Sequence, residues 1–291
     1  MKITSLPDVE RRDRRVAVGT FDGVHLGHRK VIGDSDSVLT FDPHPSAVVA
    51  PQHTPKLLTP LAVKAELIAA MGVQELIVIP FDAEFAARGA GEFIDDVLLG
   101  AVGATRVSVG ENFRFGHKAQ GDHQLLAADG RFEAVVHPLL EVEGEIVSSS
   151  HIRALVLAGE VERAARLLAA PFQLHGEVVH GDKRGRDLGF PTANLVPDDA
   201  LVCPGHGVYA CLANGRPAAV NIGVRPMFVT GRGELIEAYI LDFAEDIYGK
   251  PLRLDFISRL RGERRFGTVE ALIEAMHNDV ERTRELTAGF C

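Results

Sequence analysis

At Pro171 the hydrophobic rhythm of the chain changes, and that change limits the folds open to it. Before it, short β-branched runs at Arg15–Val18, Ser37–Phe41, Glu75–Ile79, Arg106–Val109 and Phe132–Val136 alternate with helical stretches. Leu61–Met71, with Leu61, Val63, Leu67, Ile68 and Met71 apolar, is one such stretch, and Glu92–Leu99 is another. Strands alternating with helices imply βαβ units and a parallel sheet, which binds ligands beyond the carboxyl ends of its strands. Two helical segments, His151–Leu157 and Val161–Ala169, lead to Pro171. Beyond it come only short strands punctuated by Gly and Pro, around Glu177–His180, Val208–Leu212, Ala218–Ile222, Glu237–Leu241 and Leu252–Phe256. That spacing predicts a small antiparallel barrel, with the helical stretch Val269–Leu286 packed across it. The expected fold class is α/β plus β. A Rossmann-like parallel α/β domain fills residues 1–170, and a small β-barrel with a C-terminal helix fills 171–291. A length of 291 residues suffices for two cores.

Composition narrows the function classes. Hydrophobic residues make up 46% and charged residues 24% of the chain, as in a folded globular protein. The net charge of −9 argues against a nucleic-acid partner. No apolar run is long enough to span a bilayer, and the N-terminal residues do not open a signal peptide. Cys203, Cys211 and Cys291 lack metal-ligand spacing and read as reduced thiols, so a cytoplasmic location is expected.

Two polar, glycine-punctuated stretches carry candidate chemistry. The first is Gly19-Thr20-Phe21-Asp22-Gly23-Val24-His25-Leu26-Gly27-His28, directly after a predicted strand. Its glycines, Gly19 and Gly27 among them, permit a tight turn and close approach of a phosphate. A helix starting near His28 would turn its positive end toward that phosphate. His25 and His28 can donate hydrogen bonds to charge developing on a transferring nucleotidyl group. Later, Ser148-Ser149-Ser150-His151-Ile152-Arg153 opens a helix. Hydroxyls, amides and a fixed charge there suit ATP phosphates, although Ser150 as a plain N-cap explains that short string equally well.

The second stretch runs from Gly176 to Asn194 and ends in Gly189-Phe190-Pro191-Thr192-Ala193-Asn194. It is no Walker A loop. Gly181, Gly185 and Gly189 allow a flap, which also carries Lys183, to close over ATP. The Thr192 hydroxyl and the Asn194 carbonyl oxygen suit a hard cation such as Mg²⁺. Pro-Thr-Ala-Asn alone would be read as a turn.

These stretches, with Thr40–Pro45, Gly110–Gly116, Gly207–Ala210, Asn221–Pro226, Glu237–Asp242 and Leu260–Phe266, follow one another in the order of a known family. From about Arg14 to Arg284 the chain resembles bacterial bifunctional riboflavin kinase/FAD synthetases. The N-terminal half resembles their FMN adenylyltransferase module, a His-x-Gly-His nucleotidyltransferase, and the C-terminal half resembles their riboflavin kinase module. The resemblance implies that His25 and His28 stabilise adenylyl transfer. Gly19, Phe21, Gly27, Ser149, Ser150 and Arg153 would bind ATP there, and Asn112 and Phe41 the flavin. In the kinase half Gly181, Lys183, Gly189, Thr192 and Asn194 would hold ATP, Thr192 and Asn194 with its Mg²⁺. Glu237 would be the general base, and Arg261 and Glu263 would close the flavin site, although a surface ion pair would account for the last two as well. Strand alternation places Glu237 with Tyr239 and Leu241, which predicts partial burial and a raised pKa. The implied partners are ATP, riboflavin and FMN, with FAD as the final product. A homo-oligomer is compatible with this reading.

Two departures stand out. Ser150 replaces the family's usual Thr, and Met227 replaces the Thr that usually follows Pro226. A larger one is that only Arg29–Asp36 separate His28 from the next strand, where the family has a full helix. The expectation is a compressed crossover with activity retained. The alternative is a riboflavin kinase alone, its N-terminal half structural. A flavin-sensing regulator without turnover, and an adenylyltransferase for pantetheine phosphate, are further alternatives.

Overall fold

The computed structural model describes residues 1–180, 190–224 and 234–290. The chain forms two compact units, Met1–Ser149 and Ser150–Cys291.

The first unit is built on a six-stranded parallel sheet: β1 (Lys2–Ser5), β2 (Arg14–Val18), β3 (Ser37–Asp42), β4 (Glu75–Pro80), β5 (Ala104–Gly110) and β8 (Glu133–His137), in the order β1-β4-β3-β2-β5-β8. Two short hairpins, β6–β7 (Arg114–Phe115 with Gly121–Asp122) and β9–β10 (Glu141–Val142 with Glu145–Ile146), lie outside it. Alternation along the strands divides the core. Val16, Val18, Leu39, Phe41, Ile77 and Ile79 join the apolar cluster of the π-helical segment α3 (Phe93–Val102). Ala17, Val38 and Leu76 turn to the other face, against Val31 and Ile32 of α1 (Leu26–Ile32) and Ala65 and Ile68 of α2 (Leu61–Ala69). Burial on both faces is what a parallel sheet requires.

The predicted strands are all present. Edge strand β1 is an addition, held by parallel pairing with β4 and by a 2.8 Å hydrogen bond from Thr4 to buried Glu75. Glu75 also receives the buried Arg14 guanidinium at 2.9 Å. The crossover after His28 is compressed but complete. Helix α1 starts before His28, so seven residues of helix fit, and β2 and β3 pair with Val16 opposite Ser37. Its return turn is pinned by charge: Asp34 pairs with Arg15 and Arg106, and Asp36 accepts from the Arg15 amide.

In the second unit, α5 (Ser149–Ala158) and α6 (Val161–Leu168) precede a closed barrel of β11 (Phe172–Val179), β12 (Ala193–Pro197), β13 (Gly207–Ala213), β14 (Arg216–Val224), β15 (Glu234–Ile240) and β16 (Pro251–Arg261). Closure follows the order β11-β12-β15-β14-β13-β16 and leaves no free sheet edge. Glu162 of α6 accepts hydrogen bonds from the Ser258 hydroxyl and the Arg259 amide, so this helix is integral to the barrel unit even though the sequence pattern changes only at Pro171. Helix α7 (Val269–Thr287) is capped by Thr268 and tied to the end of β16 by a salt bridge from Arg261 to buried Asp279 at 2.8 Å. Cys203 and Cys211 are buried, and Cys211 is a free thiol.

Candidate active sites

In the first unit the site residues gather at the carboxyl ends of β2 and β5. The chain leaves β2 toward β3 on one side, and β5 lies on the other, so this is the switch point of the sheet. His25 caps α1: its Nδ1 accepts the His28 amide at 3.2 Å. The helix thus begins at Leu26, with His25 rather than His28 at its mouth. The two imidazoles stack, with centroids 3.5 Å apart and 15° between planes. Gly27 makes this possible, because a Cβ there would lie 3.2 Å from His25 Cε1. The Ser149 hydroxyl, at the start of α5, donates to the Asp22 carbonyl at 2.9 Å. Ser150 is the second residue of that helix and hence not its cap, and Arg153 follows one turn later.

Two expected contacts take supporting places instead. Phe21 is 1% exposed, packed beneath Gly19 and edge-on to His28 at 5.3 Å. Its ring is therefore part of the core beneath the turn. Phe41 is also core, edge-on to the half-buried Phe81 at 5.7 Å. Asn112 is exposed in the turn after β5.

Burial dominates the electrostatics. His25, 5% exposed, is pushed down to about 4 by desolvation. His28 is driven well below the usual histidine value by burial first, then by His25 and by the Lys64 charge. Both rings are neutral at pH 7. Because His25 Nδ1 accepts a backbone N–H, its neutral ring carries the proton on Nε2 and presents a donor. Lys64 was not among the sequence candidates. Its signal was a charge inside the apolar stripe of Leu61–Met71, between Val63 and Leu67.

The second site lies on the outer face of the barrel. Ile236, Ala238 and Ile240 fill the interior, so the alternate residues Glu237 and Tyr239 face outward and are half-buried. Glu237 stands opposite Asn194 of β12 on one side and Asn221 of β14 on the other. Directly paired residues share a face with Cβ atoms about 5 Å apart, so these three side chains form one row. Thr192 immediately precedes β12, two residues before Asn194. Asn194 is 6% exposed, and its Oδ1 has no hydrogen-bond partner among the described residues. Phe190 packs edge-on against His277 at 5.1 Å and, at 5.2 Å, against Tyr239, two residues along β15 from Glu237. Two residues along β14 from Asn221, Glu263 reaches over Gly223, where a Cβ would lie 2.5 Å from its Oε1. Arg261 pairs with the buried Asp279 of α7 and not with Glu263. Asn221 opens the Asn221–Pro226 stretch, where its residue type alone does not mark it as a site residue. Gly181, Lys183 and Gly189 lie outside the described residues, as does Met227.

Known proteins share both units. The FAD synthetase family model matches residues 8–151, and the riboflavin kinase model matches residues 168–287. A bifunctional riboflavin kinase/FMN adenylyltransferase of Listeria monocytogenes is 38% identical over 94% of this chain and 92% of its own length. The chain belongs to the bifunctional riboflavin kinase/FMN adenylyltransferase family. The Bacillus subtilis member is 36% identical over 91% of this chain and 89% of its own. A solved Streptococcus pneumoniae chain, described as a macrolide-efflux protein, superposes with a TM-score of 0.88 at 30% identity, covering 98% of this chain and 99% of that one. Its description concerns transport, whereas among the described residues here no helix is long and apolar enough to cross a membrane. The family's two matched segments enclose the two sites: His25 and His28 in one, Thr192, Asn194 and Glu237 in the other.

Proposed function

We propose that the chain phosphorylates riboflavin with ATP to FMN and then joins FMN to the AMP moiety of a second ATP, giving FAD and pyrophosphate. Residues 171–291 carry the first reaction and residues 1–170 the second. Family membership through both units supports both steps and leaves the kinase-only alternative without support.

In the barrel, Glu237 takes the proton of the ribityl hydroxyl as its oxygen attacks the γ-phosphorus and ADP departs. The observation that carries this assignment is the cross-strand pairing of Asn194 with Glu237, which sets an unsatisfied buried oxygen beside the half-buried carboxylate. Asn194 Oδ1 and the Thr192 hydroxyl are hard oxygen donors on one strand end, and they fit Mg²⁺. Bound there with ATP, the cation supplies charge neutralisation on the phosphoryl group. Asn221 orients the ribityl chain from the far side of Glu237.

In the first unit a phosphate oxygen of FMN attacks the α-phosphorus of ATP. That oxygen is already a nucleophile, so no general base is needed. Neutral His25 and His28 act as fixed N–H donors to the charge that develops. Ser149 binds the polyphosphate, and Asn112 contacts the flavin. We place the protein in the cytoplasm, consistent with the free thiol of Cys211. Its net negative charge leaves no basis for a nucleic-acid partner.

Incubating the purified protein with riboflavin, ATP and Mg²⁺ tests the scheme. FAD is the expected product. Accumulation stopping at FMN would reduce the chain to a kinase.

A further inference from the structure

Lys64 sits on the inner face of α2, 8% exposed, among the apolar residues that cover the sheet. Its ammonium has three donors. One reaches the Thr20 carbonyl at 2.7 Å, and that oxygen also accepts the Thr40 hydroxyl at 3.1 Å. Among the described residues Lys64 makes no other hydrogen bond, and no carboxylate lies within ion-pair distance of it. Asp22 and Asp42 act on it only through longer-range attraction. The Asp22 carboxylate is instead engaged by the amides of Leu58 and Thr59 at 2.9–3.1 Å.

A charge buried with a single neutral acceptor is costly to the fold, and structural need alone does not explain it. A neutral residue of similar length would fill the same space. The position of the charge is informative. Thr20 is the second residue of the Gly19–His28 turn, and the field of Lys64 reaches the half-buried His28 ring. An anion arriving at this turn meets a cation that no carboxylate neutralises at close range.

We propose that Lys64 is a positioning residue of the adenylyl-transfer site. It anchors the His25–His28 turn through the Thr20 carbonyl and supplies the fixed positive charge that draws the nucleotide polyphosphate onto that turn. The inference rests on the adenylyltransferase reading of this unit. Being buried, the charge needs no reorganisation when the phosphates arrive, which is the condition for strong electrostatic stabilisation.

The groups that face the histidine pair are Lys64, His25 and His28 themselves, with Asp22 and Asp42 around the ammonium. Three readouts test the proposal on the full-length protein. First, Lys64→Met should lower kcat/KM for FAD formation from FMN by about 10²-fold, mostly through the KM for ATP. FMN formation should be unchanged, and Lys64→Arg should restore most of the loss. Second, the His28 ring, followed by NMR, should titrate at higher pH in Lys64→Met, because a nearby cation that opposes protonation is gone. Third, in the wild-type protein the Lys64 Nζ resonance should shift when magnesium pyrophosphate is added. FAD formation surviving in Lys64→Met would overturn the proposal. So would its loss with the His28 titration unmoved and no rescue by arginine, the pattern of a packing defect. If Lys64→Met fails to fold, the wild-type pyrophosphate titration decides, and an unmoved resonance counts against the proposal. A wild-type protein that makes no FAD would instead sink the adenylyltransferase reading itself.

Discussion

His25 at the end of the parallel sheet and Glu237 on the barrel lie at different levels of burial. At the end of the parallel sheet, His25, Phe21 and Lys64 are all below a tenth exposed, and the imidazoles are held neutral by desolvation. On the barrel, Glu237 stands half-buried on an outer face beside Asn221. The difference follows from what each reaction demands. Adenylyl transfer to a phosphate needs fixed donors and no proton acceptor, and burial keeps such donors neutral and immobile. A carboxylate base must stay ionised at neutral pH, and full burial would protonate it. Half-exposure beside the proposed cation ligands Asn194 and Thr192 is the compromise.

Two substitutions would break this contrast if it is wrong. Glu237→Gln keeps the shape and removes the base, so FMN formation should fall by about 10²–10⁴-fold. FAD formation from supplied FMN should continue. His28→Ala should do the reverse, lowering FAD formation by about 10²–10³-fold and sparing FMN formation. Separate assays of each variant, started from riboflavin and from FMN, give the four rates needed. A folded variant that lost both activities would mean that the sites are not independent.

A smaller effect sharpens the barrel side. Removing even an outer-shell partner of a metal typically costs about 10–100-fold in metal affinity, so Asn194→Leu should raise the Mg²⁺ concentration for half-maximal FMN formation by at least about tenfold. Its effect on stability should have the opposite sign. An unsatisfied buried polar group costs about 1–3 kcal/mol, and leucine removes it at nearly the same size. A thermal midpoint that holds or rises while activity falls identifies Asn194 as kept for function. A large drop in midpoint would make it a structural residue.

The sheet and barrel were readable because their strands alternate or run apolar over five or more residues. Strand β1 was not: Lys2–Ser5 has four residues and earns its place through Thr4–Glu75, a contact across 71 positions. The π-helical turns of Phe93–Val102 have no periodic signature distinct from an α-helix. Among the candidate site residues, types at motif spacing are legible, as with His25, His28, Asn194 and Glu237. Burial is not. Phe21 and Phe41 stand in motifs yet serve the core, and Arg261 is taken by Asp279 eighteen residues on. Lys64 and Asn221 come beside the candidate sites through tertiary placement, one by a helix lying on the sheet and the other by barrel register.

The smallest expected effect is on stability against pH, and it tests whether the buried histidines differ from the barrel site as described. His25 has its folded pKa lowered from the usual 6.5 to about 4, and His28 is lowered as well. Below pH 6.5 the unfolded chain binds protons at these positions and the folded chain does not. Stability is therefore full above about pH 6.5 and falls as pH drops toward 4, by at most about 1.4 kcal/mol per pH unit for each group. Thermal unfolding of the first unit, followed between pH 7 and pH 4.5 by a probe placed in it, should show this acid-side slope. His25→Gln and His28→Gln should each flatten it, and a substitution at Glu237 should leave it alone. If the slope is the same in all three, the protons are bound elsewhere and the imidazoles are not the neutral, desolvated donors that the adenylyl-transfer site requires.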